Sequence, residues 1–246
     1  MLYSKELLGN MTLVLGIKTN DGFLLSADSQ GIEHDGSVVK TVPTDSIKIY
    51  PLTDKLLVGV SGANLPLRIY EDYASGLKQA FDLCGVTDIS VIIRESDKRV
   101  KEVTKRYPDA GYKFIIAGFA THGSNKLKPF MYTLEVNKEP ERIAEPCKGV
   151  GIEYVFEHDV KLLKELDALP KSFSEENAQR LTGDVFNHVR GEEKRLLEEM
   201  KPYISGVVHI GGSIIQYRLT VTGYELIDSG LSYPPLVNPE DKIKKV

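Results

Sequence analysis

The order of the predicted strands and helices constrains the fold of this chain most. Pairs of strand-like segments alternate with pairs of amphipathic, helix-like segments, and strand pairs stand at both ends of the series. The predicted strand pairs are 13–18 with 22–27, 46–50 with 56–61, 112–121 with 130–136, and 207–216 with 217–227. The predicted helices are 67–81, 88–107, 153–166 and 175–200. This order predicts an α+β protein with antiparallel sheets and covering helices, and it leaves several α+β architectures open.

Local signals mark where some of these elements begin and turn. Asn20-Asp21-Gly22 separates the first two strands and is a typical hairpin turn. Ser172 and Glu175 have the spacing of a capping box, which predicts the start of the last helix. The Asp-Gly pair at 35–36 predicts a turn-rich loop over Gly31–Ser37.

Length and composition predict one large domain without a nucleic-acid surface. The 246 residues contain no Pro/Ser-rich linker, and the formal net charge is −4 with acidic and basic residues interleaved. We expect a short propeptide or upstream extension at 1–11, a domain at 12–230 and a proline-rich tail at 231–246. No apolar run is long enough to cross a membrane and 1–11 lacks the apolar core of a signal peptide, so we expect a cytoplasmic protein.

Cysteine and histidine positions favour neither a disulfide framework nor a metal centre. The two cysteines, Cys84 and Cys147, are not part of a Cys-x-x-Cys motif. The five histidines are scattered, and no two have the i, i+4 spacing of helical metal ligands. We therefore expect no metal and no cofactor.

A threonine with an unusual position introduces the candidate chemistry. Thr12 follows Met11 directly and opens the first predicted strand, and the second strand ends at Asp28. If the peptide bond before Thr12 is cut, one residue carries both a hydroxyl nucleophile and an amine that titrates near ~7.7–8.0 and can accept the hydroxyl proton.

Four stretches of the sequence share a pattern with one enzyme family. The first is the interval from Thr12 to Asp28, and the second is the strand at 45–50, whose Lys48 precedes Gly62 by a fitting interval. The third consists of the runs 114–119 and 130–134, followed by Gly149-Val150-Gly151 opening a helix. The fourth is the segment 204–210 with its Ser205-Gly206 pair. In these stretches the chain resembles the proteasome subunits of the N-terminal nucleophile hydrolases, and the β-type subunits in particular.

The resemblance implies a fold and a mechanism. The fold is a four-layer α-β-β-α sandwich of two antiparallel sheets flanked by helices. Thr12 is the nucleophile, Lys48 is held near Asp28, the N–H of Gly62 donates to the oxyanion, and Ser205 stands where the family has its second serine. The implied protein is a threonine peptidase that cleaves a peptide or protein substrate and assembles into a homo-oligomer, with a ring as one form.

The charges of Asp28 and Lys48 support a shared site independently. Each lies beside or within an apolar strand run, where an unpaired buried charge destabilises the fold and a mutual ion pair offsets that destabilisation. We therefore predict that the two side chains form an ion pair.

Departures from the family pattern keep two alternatives open. Val150 stands where the family has a serine, Pro202–Ile204 where it has an aspartate, and Met11 where it usually has a glycine. One alternative is a catalytically inactive proteasome-fold subunit with an assembly or structural role. The other is a sequence-specific N-terminal nucleophile amidohydrolase or transpeptidase, which Val150 and the extended loop at Gly31–Ser37 would suit.

Overall fold

The strands and helices of the chain were located in a computed structural model. It describes residues 13–29, 31–35, 38–42, 47–62, 74–79, 88–106, 112–121, 126–135, 141–144, 150–153, 170–200 and 211–233. In chain order the strands are β1 (Val14–Lys18), β2 (Gly22–Asp28), β3 (Gly31–Asp35), β4 (Val38–Val42), β5 (Ile49–Thr53), β6 (Leu56–Gly62), β7 (Tyr112–Thr121), β8 (Leu127–Glu135), β9 (Glu141–Ala144), β10 (Val150–Glu153), β11 (Gly212–Thr220) and β12 (Gly223–Tyr233). The helical segments are α1 (74–79), α2 (Ile89–Arg106) and α3 (Glu175–Met200).

The strands form two large antiparallel sheets and one small one. The first sheet has the order β10-β1-β2-β11-β12, and the second has the order β5-β6-β7-β8-β9. Among the strands that the structure describes, β3 and β4 pair only with each other. The chain is therefore a mixed α+β protein with antiparallel sheets, as the order of its predicted elements indicates.

Three apolar clusters show which elements pack together. The first cluster joins residues of both large sheets, including Val14, Leu25, Ile115 and Met131. The second lies between the second sheet and the residues of α1 and α2, such as Leu77 and Ile92. The third lies between the first sheet and α3, and its members include Leu13, Leu15, Leu24, Val185 and Phe186. This packing is compatible with the predicted sandwich, because each sheet has one face toward the other sheet and one toward helix.

The segment predicted as a loop at Gly31–Ser37 contains a strand instead. Gly31–Asp35 pairs with Val38–Val42 in a hairpin of five residue pairs. The prediction was wrong because it extended the turn signal of the Asp-Gly pair back over residues 31–35, which pair in a strand.

Two turns lie elsewhere than the sequence predicted. β5 continues through Pro51 to Thr53, so only Asp54 and Lys55 turn. An outer strand tolerates proline because its open side needs no N–H.

The last hairpin turns at Val221-Thr222 rather than at 216–217, and Gly223 follows with φ 147°, a value that favours glycine. β12 reaches Tyr233, so the first residues of the predicted tail belong to the sheet.

The predicted helix at 153–166 does not begin at Glu153, because this residue lies in a strand. Val150–Glu153 is a strand that pairs with β1, so Gly149-Val150-Gly151 does not open a helix at this point. Residues 154–166 lie outside the described residues. Of the predicted helix at 67–81, residues 74–79 are described and are helical.

α3 has the predicted bounds but a different cap. The hydroxyl oxygen of Ser174 accepts a hydrogen bond from the backbone N–H of Asn177 at 3.3 Å, so Ser174 is the N-cap. The hydroxyl of Ser172 instead donates to Oδ1 of Asn20 at 3.2 Å. Among the helices described, none combines the length and the apolar character needed to cross a membrane.

Candidate functional site

Asp28 lies at the end of β2 and is fully buried, with 0% of its surface exposed. Its Oδ2 atom accepts a hydrogen bond from Lys48 Nζ at 2.9 Å, and its Oδ1 atom accepts one from the backbone N–H of Leu13 at 3.0 Å. The backbone N–H of Gly211 also donates to this carboxylate. Three donors from different parts of the chain therefore converge on one buried acid.

Lys48 reaches this acid from the second sheet. It directly precedes β5, and its carbonyl oxygen accepts a hydrogen bond from the backbone N–H of Val60 on β6 at 2.8 Å. The residue is 9% exposed, and its side chain extends to Asp28 on the first sheet. The predicted ion pair is confirmed, and it joins the two sheets at one end.

Burial and charge act in opposite directions on Asp28. Burial raises the pKa of the Asp28 carboxyl above its ordinary value, because desolvation disfavours the carboxylate. The positive charge of Lys48 and the hydrogen bonds from Lys48, Leu13 and Gly211 favour the carboxylate and oppose that rise. The acid therefore depends on its three donors to remain ionised.

Gly62 lies at the same end of the second sheet as Lys48. It is the last residue of β6 and pairs with Tyr112 on β7. Val60, the backbone partner of Lys48, precedes it by two positions on the same strand, a distance of about 7 Å along the strand. Gly62 is thus near Lys48 at this end of the sheet.

Thr12 and Ser205, the other two predicted site residues, lie outside the described residues. The residue that follows Thr12 is Leu13, whose backbone nitrogen forms the peptide bond between them. That same nitrogen donates to Asp28. The Asp28 carboxylate therefore binds the peptide group that directly follows the predicted nucleophile.

Val150 is not beside the ion pair. It pairs with Ile17 on β1, while Glu153 pairs with Val14. Ile17 is four residues along the chain from Leu13, about 13 Å in an extended strand. Val150, which stands where the family has a serine, therefore lies toward the opposite end of β1 from the Asp28–Leu13 contact.

A buried chain of hydrogen bonds lies next to the acid and was not predicted. Gln216 Nε2 donates to Ser26 Oγ at 3.0 Å, Ser26 Oγ and Thr182 Oγ1 are 3.3 Å apart, and Thr182 Oγ1 donates to the carbonyl of Ala178 at 3.0 Å. Because the Thr182 proton goes to Ala178, the Ser26 hydroxyl donates to Thr182. The chain ties β2 to α3 at Ser26, two residues before Asp28.

The site can hold a fixed positive charge against a buried carboxylate. Within the described residues, no group of three or more His, Cys, Asp or Glu side chains has the arrangement of a metal site. The Lys48 ammonium and the backbone N–H of Leu13 bind the same carboxylate, so the positive charge lies near the peptide group after Thr12.

Comparison with known proteins gives no match, either to a family model or to a curated protein. The function must therefore be argued from the chemistry of the residues. The Asp28–Lys48 pair and its contact with Leu13 are the observations from which that argument starts.

Proposed function

We propose that this protein is a threonine peptidase of the N-terminal nucleophile type, with Thr12 as the nucleophile after residues 1–11 are removed. One observation supports the proposal above all others. The buried carboxylate of Asp28 binds both the ammonium of Lys48 and the backbone N–H of Leu13, which directly follows Thr12. A cation is thereby fixed close to the start of β1, where the nucleophile needs it.

The proposal includes the four-layer α-β-β-α arrangement of this enzyme class. Its support is the packing of the two large sheets through one apolar cluster, with α2 on the outer face of one sheet and α3 on the outer face of the other. The order of the first sheet, in which β1 and β2 are inner strands flanked by β10 and β11, also supports this arrangement.

The reaction has two steps. In the first, the free α-amine of Thr12 accepts the hydroxyl proton, Oγ bonds to the substrate carbonyl carbon, and the amine side of the substrate leaves with that proton. In the second, water adds to the acyl ester, its proton passes to the α-amine, and the acid product leaves as the Thr12 hydroxyl re-forms.

Lys48 and Gly62 have separate roles in these steps. The positive charge of Lys48 stabilises developing negative charge on Oγ and lowers the proton affinity of the hydroxyl. The backbone N–H of Gly62 donates to the oxyanion of the tetrahedral intermediate, a contact of a kind that contributes about 3 kcal/mol. Ser205 is assigned the supporting hydroxyl.

Covalent labelling tests the proposal. We expect a peptidyl β-lactone to add one acyl group to Thr12 of protein that begins at that residue, with concurrent loss of peptidase activity. Thr12→Ala should take no label, whereas Thr12→Ser, which keeps a hydroxyl and an amine, should still react. Peptide mapping by mass spectrometry locates the adduct.

The outcome also separates the two alternatives. Protein that begins at Thr12, folds normally and takes no label supports an inactive structural subunit. Protein that takes the label but cleaves no peptide from a mixed-sequence library, and acts only on one amide sequence, supports a specific amidohydrolase or transpeptidase. Labelling at a residue other than Thr12 contradicts both enzymatic readings, the peptidase and the specific amidohydrolase or transpeptidase.

A further inference from the structure

The outermost strand of the first sheet, β12, differs from the other outer strands of the large sheets. Among the described residues, β9 and β10 have four residues each and β5 contains Pro51. Short length and proline both protect a sheet edge from pairing with another chain. β12 has eleven residues, no proline and no lysine.

β12 also carries the most exposed large apolar side chain described. Leu226 is 65% exposed, and Tyr224 on the same face of the strand is 43% exposed. Their neighbour Tyr217 on β11 stacks against Tyr224 with ring centroids 6.1 Å apart. Apolar and aromatic residues are therefore concentrated along a sheet edge that is open as far as the described strands are concerned.

The register of the last hairpin determines which backbone groups face outward. A two-residue turn makes Thr220 and Gly223 a hydrogen-bonded pair, so hydrogen-bonded pairs recur at every second position along the ladder. Tyr224, Leu226 and Asp228 fall between them, and their N–H and C=O groups point away from β11. The open edge and the exposed apolar residues thus coincide.

We propose that β12 is a dimerisation edge that pairs antiparallel with β12 of a second copy of this chain, with the two-fold axis at Leu226. In this register Leu226 faces its own counterpart, Tyr224 faces Asp228 of the other copy, and Glu225 faces Ile227. Each acid therefore opposes an uncharged residue, and the Tyr224 hydroxyl can donate to the opposing carboxylate.

One of the two acidic residues of the strand is already neutralised within one copy, because Glu225 forms an ion pair with Arg218 on β11. Asp228 accepts a hydrogen bond from the backbone N–H of Gly230 at 2.9 Å and keeps its negative charge. In the proposed register Asp228 opposes Tyr224 and not another acid, so an identical strand meets no like charge directly opposite, which favours a second copy as the occupant.

The test compares two substitutions by lysine. Leu226→Lys places two like charges opposite each other at the axis, and we expect the dimer dissociation constant to rise on the order of tenfold or more. Val221→Lys is the matched control, because Val221 is 50% exposed but lies in the turn outside the proposed ladder. For wild type and Val221→Lys, sedimentation equilibrium of the full chain should give the mass of a dimer of the 27.4 kDa chain, or of a larger assembly with an even number of chains.

A second variant tests the register itself. Leu226 and its counterpart form a hydrogen-bonded antiparallel pair with Cα atoms about 5.5 Å apart, a separation that a disulfide can span. Leu226→Cys should therefore form an intermolecular disulfide on mild oxidation, and Val221→Cys and wild type should not. A monomeric wild type, an assembly whose mass Leu226→Lys leaves unchanged, or equal crosslinking in all three proteins would overturn the proposal. Circular dichroism of each variant confirms that it is folded.

Discussion

Lys48 Nζ lies 2.9 Å from Oδ2 of Asp28, and this contact connects the two large sheets at the end where β1 begins. Both residues are buried, and Asp28 also binds the backbone N–H of Leu13. One ion pair thus links the packing of the fold to the proposed chemistry.

The pair should behave as a coupled unit in folding. Removing one partner leaves the other charge buried and uncompensated, so we expect Asp28→Asn and Lys48→Met each to lower the free energy of unfolding by about 3–5 kcal/mol. The double variant should lose less than the sum, because it leaves no unpaired charge. Urea unfolding of the four proteins measures the coupling, and strictly additive losses would show that the contact contributes nothing.

The same pair should be coupled in catalysis. At pH 7 we expect Lys48→Met to slow acylation of Thr12 by a β-lactone by 100-fold or more, in the range of about 10²–10³ that the loss of one electrostatic contact typically produces. Asp28→Asn should slow it as well, because Lys48 loses its anchor. Arg94→Met, which removes an exposed cation on α2, is the control and should leave the acylation rate unchanged. Equal rates in wild type and Lys48→Met would mean that Lys48 does not act on the nucleophile.

Stability should depend on pH through Asp28. Burial raises the pKa of this carboxyl above its ordinary value of 3.8, so the folded chain keeps the proton at pH values where the unfolded chain has released it. The unfolding free energy of wild type relative to Asp28→Asn should therefore fall as the pH rises from 3.8 toward the raised pKa. Urea titrations of both proteins across this range measure the difference. A difference that instead grows with pH would mean that Lys48 and the two amides outweigh burial.

The hydrogen-bond chain at Ser26 predicts a position-specific loss of stability. Thr182→Val keeps the shape of the side chain but leaves the buried Ser26 hydroxyl without its acceptor, and we expect a loss of about 1–3 kcal/mol. Thr182→Ser should lose less, since it keeps the hydroxyl. Asn187→Ala, at an exposed position of the same helix, should change stability by no more than about 0.5 kcal/mol. Thermal unfolding measures the loss of stability in each of the three variants. Equal losses in Thr182→Val and Thr182→Ser would exclude the hydrogen bond as the cause.

The ion pair is the part of the site that could be predicted, because a charged residue beside an apolar run requires a partner of opposite charge. An aspartate and a lysine beside apolar strand runs must be neutralised, and that requirement predicted the Asp28–Lys48 pair correctly. The bonds to the Leu13 and Gly211 amides were not predicted, because every residue but proline carries such a donor and nothing in the sequence marks the one used. Thr182 was missed because it lies 156 residues from Ser26 along the chain, beyond any local pattern.

The fold shows the same limit of local patterns. β7 and α3 have the bounds predicted from periodicity, because long amphipathic or apolar runs determine their own secondary structure. The predicted helix 153–166 began at Glu153, but this residue pairs with Val14 on β1 and is the last residue of a strand. The helix cap was assigned to Ser172 by its motif, although Ser174 stands one residue before the helix and makes the capping bond.

The most direct test of the proposed chemistry is the intact mass of the protein before and after treatment with a peptidyl β-lactone. Two samples are compared, the full chain and a chain that begins at Met11 and is trimmed to Thr12 by methionine aminopeptidase. We predict that only molecules with Thr12 as their first residue gain the mass of one acyl group and lose activity. Acylation of molecules that retain residues 1–11 at the same rate, or no acylation of those that begin at Thr12, would contradict an N-terminal threonine nucleophile in this protein.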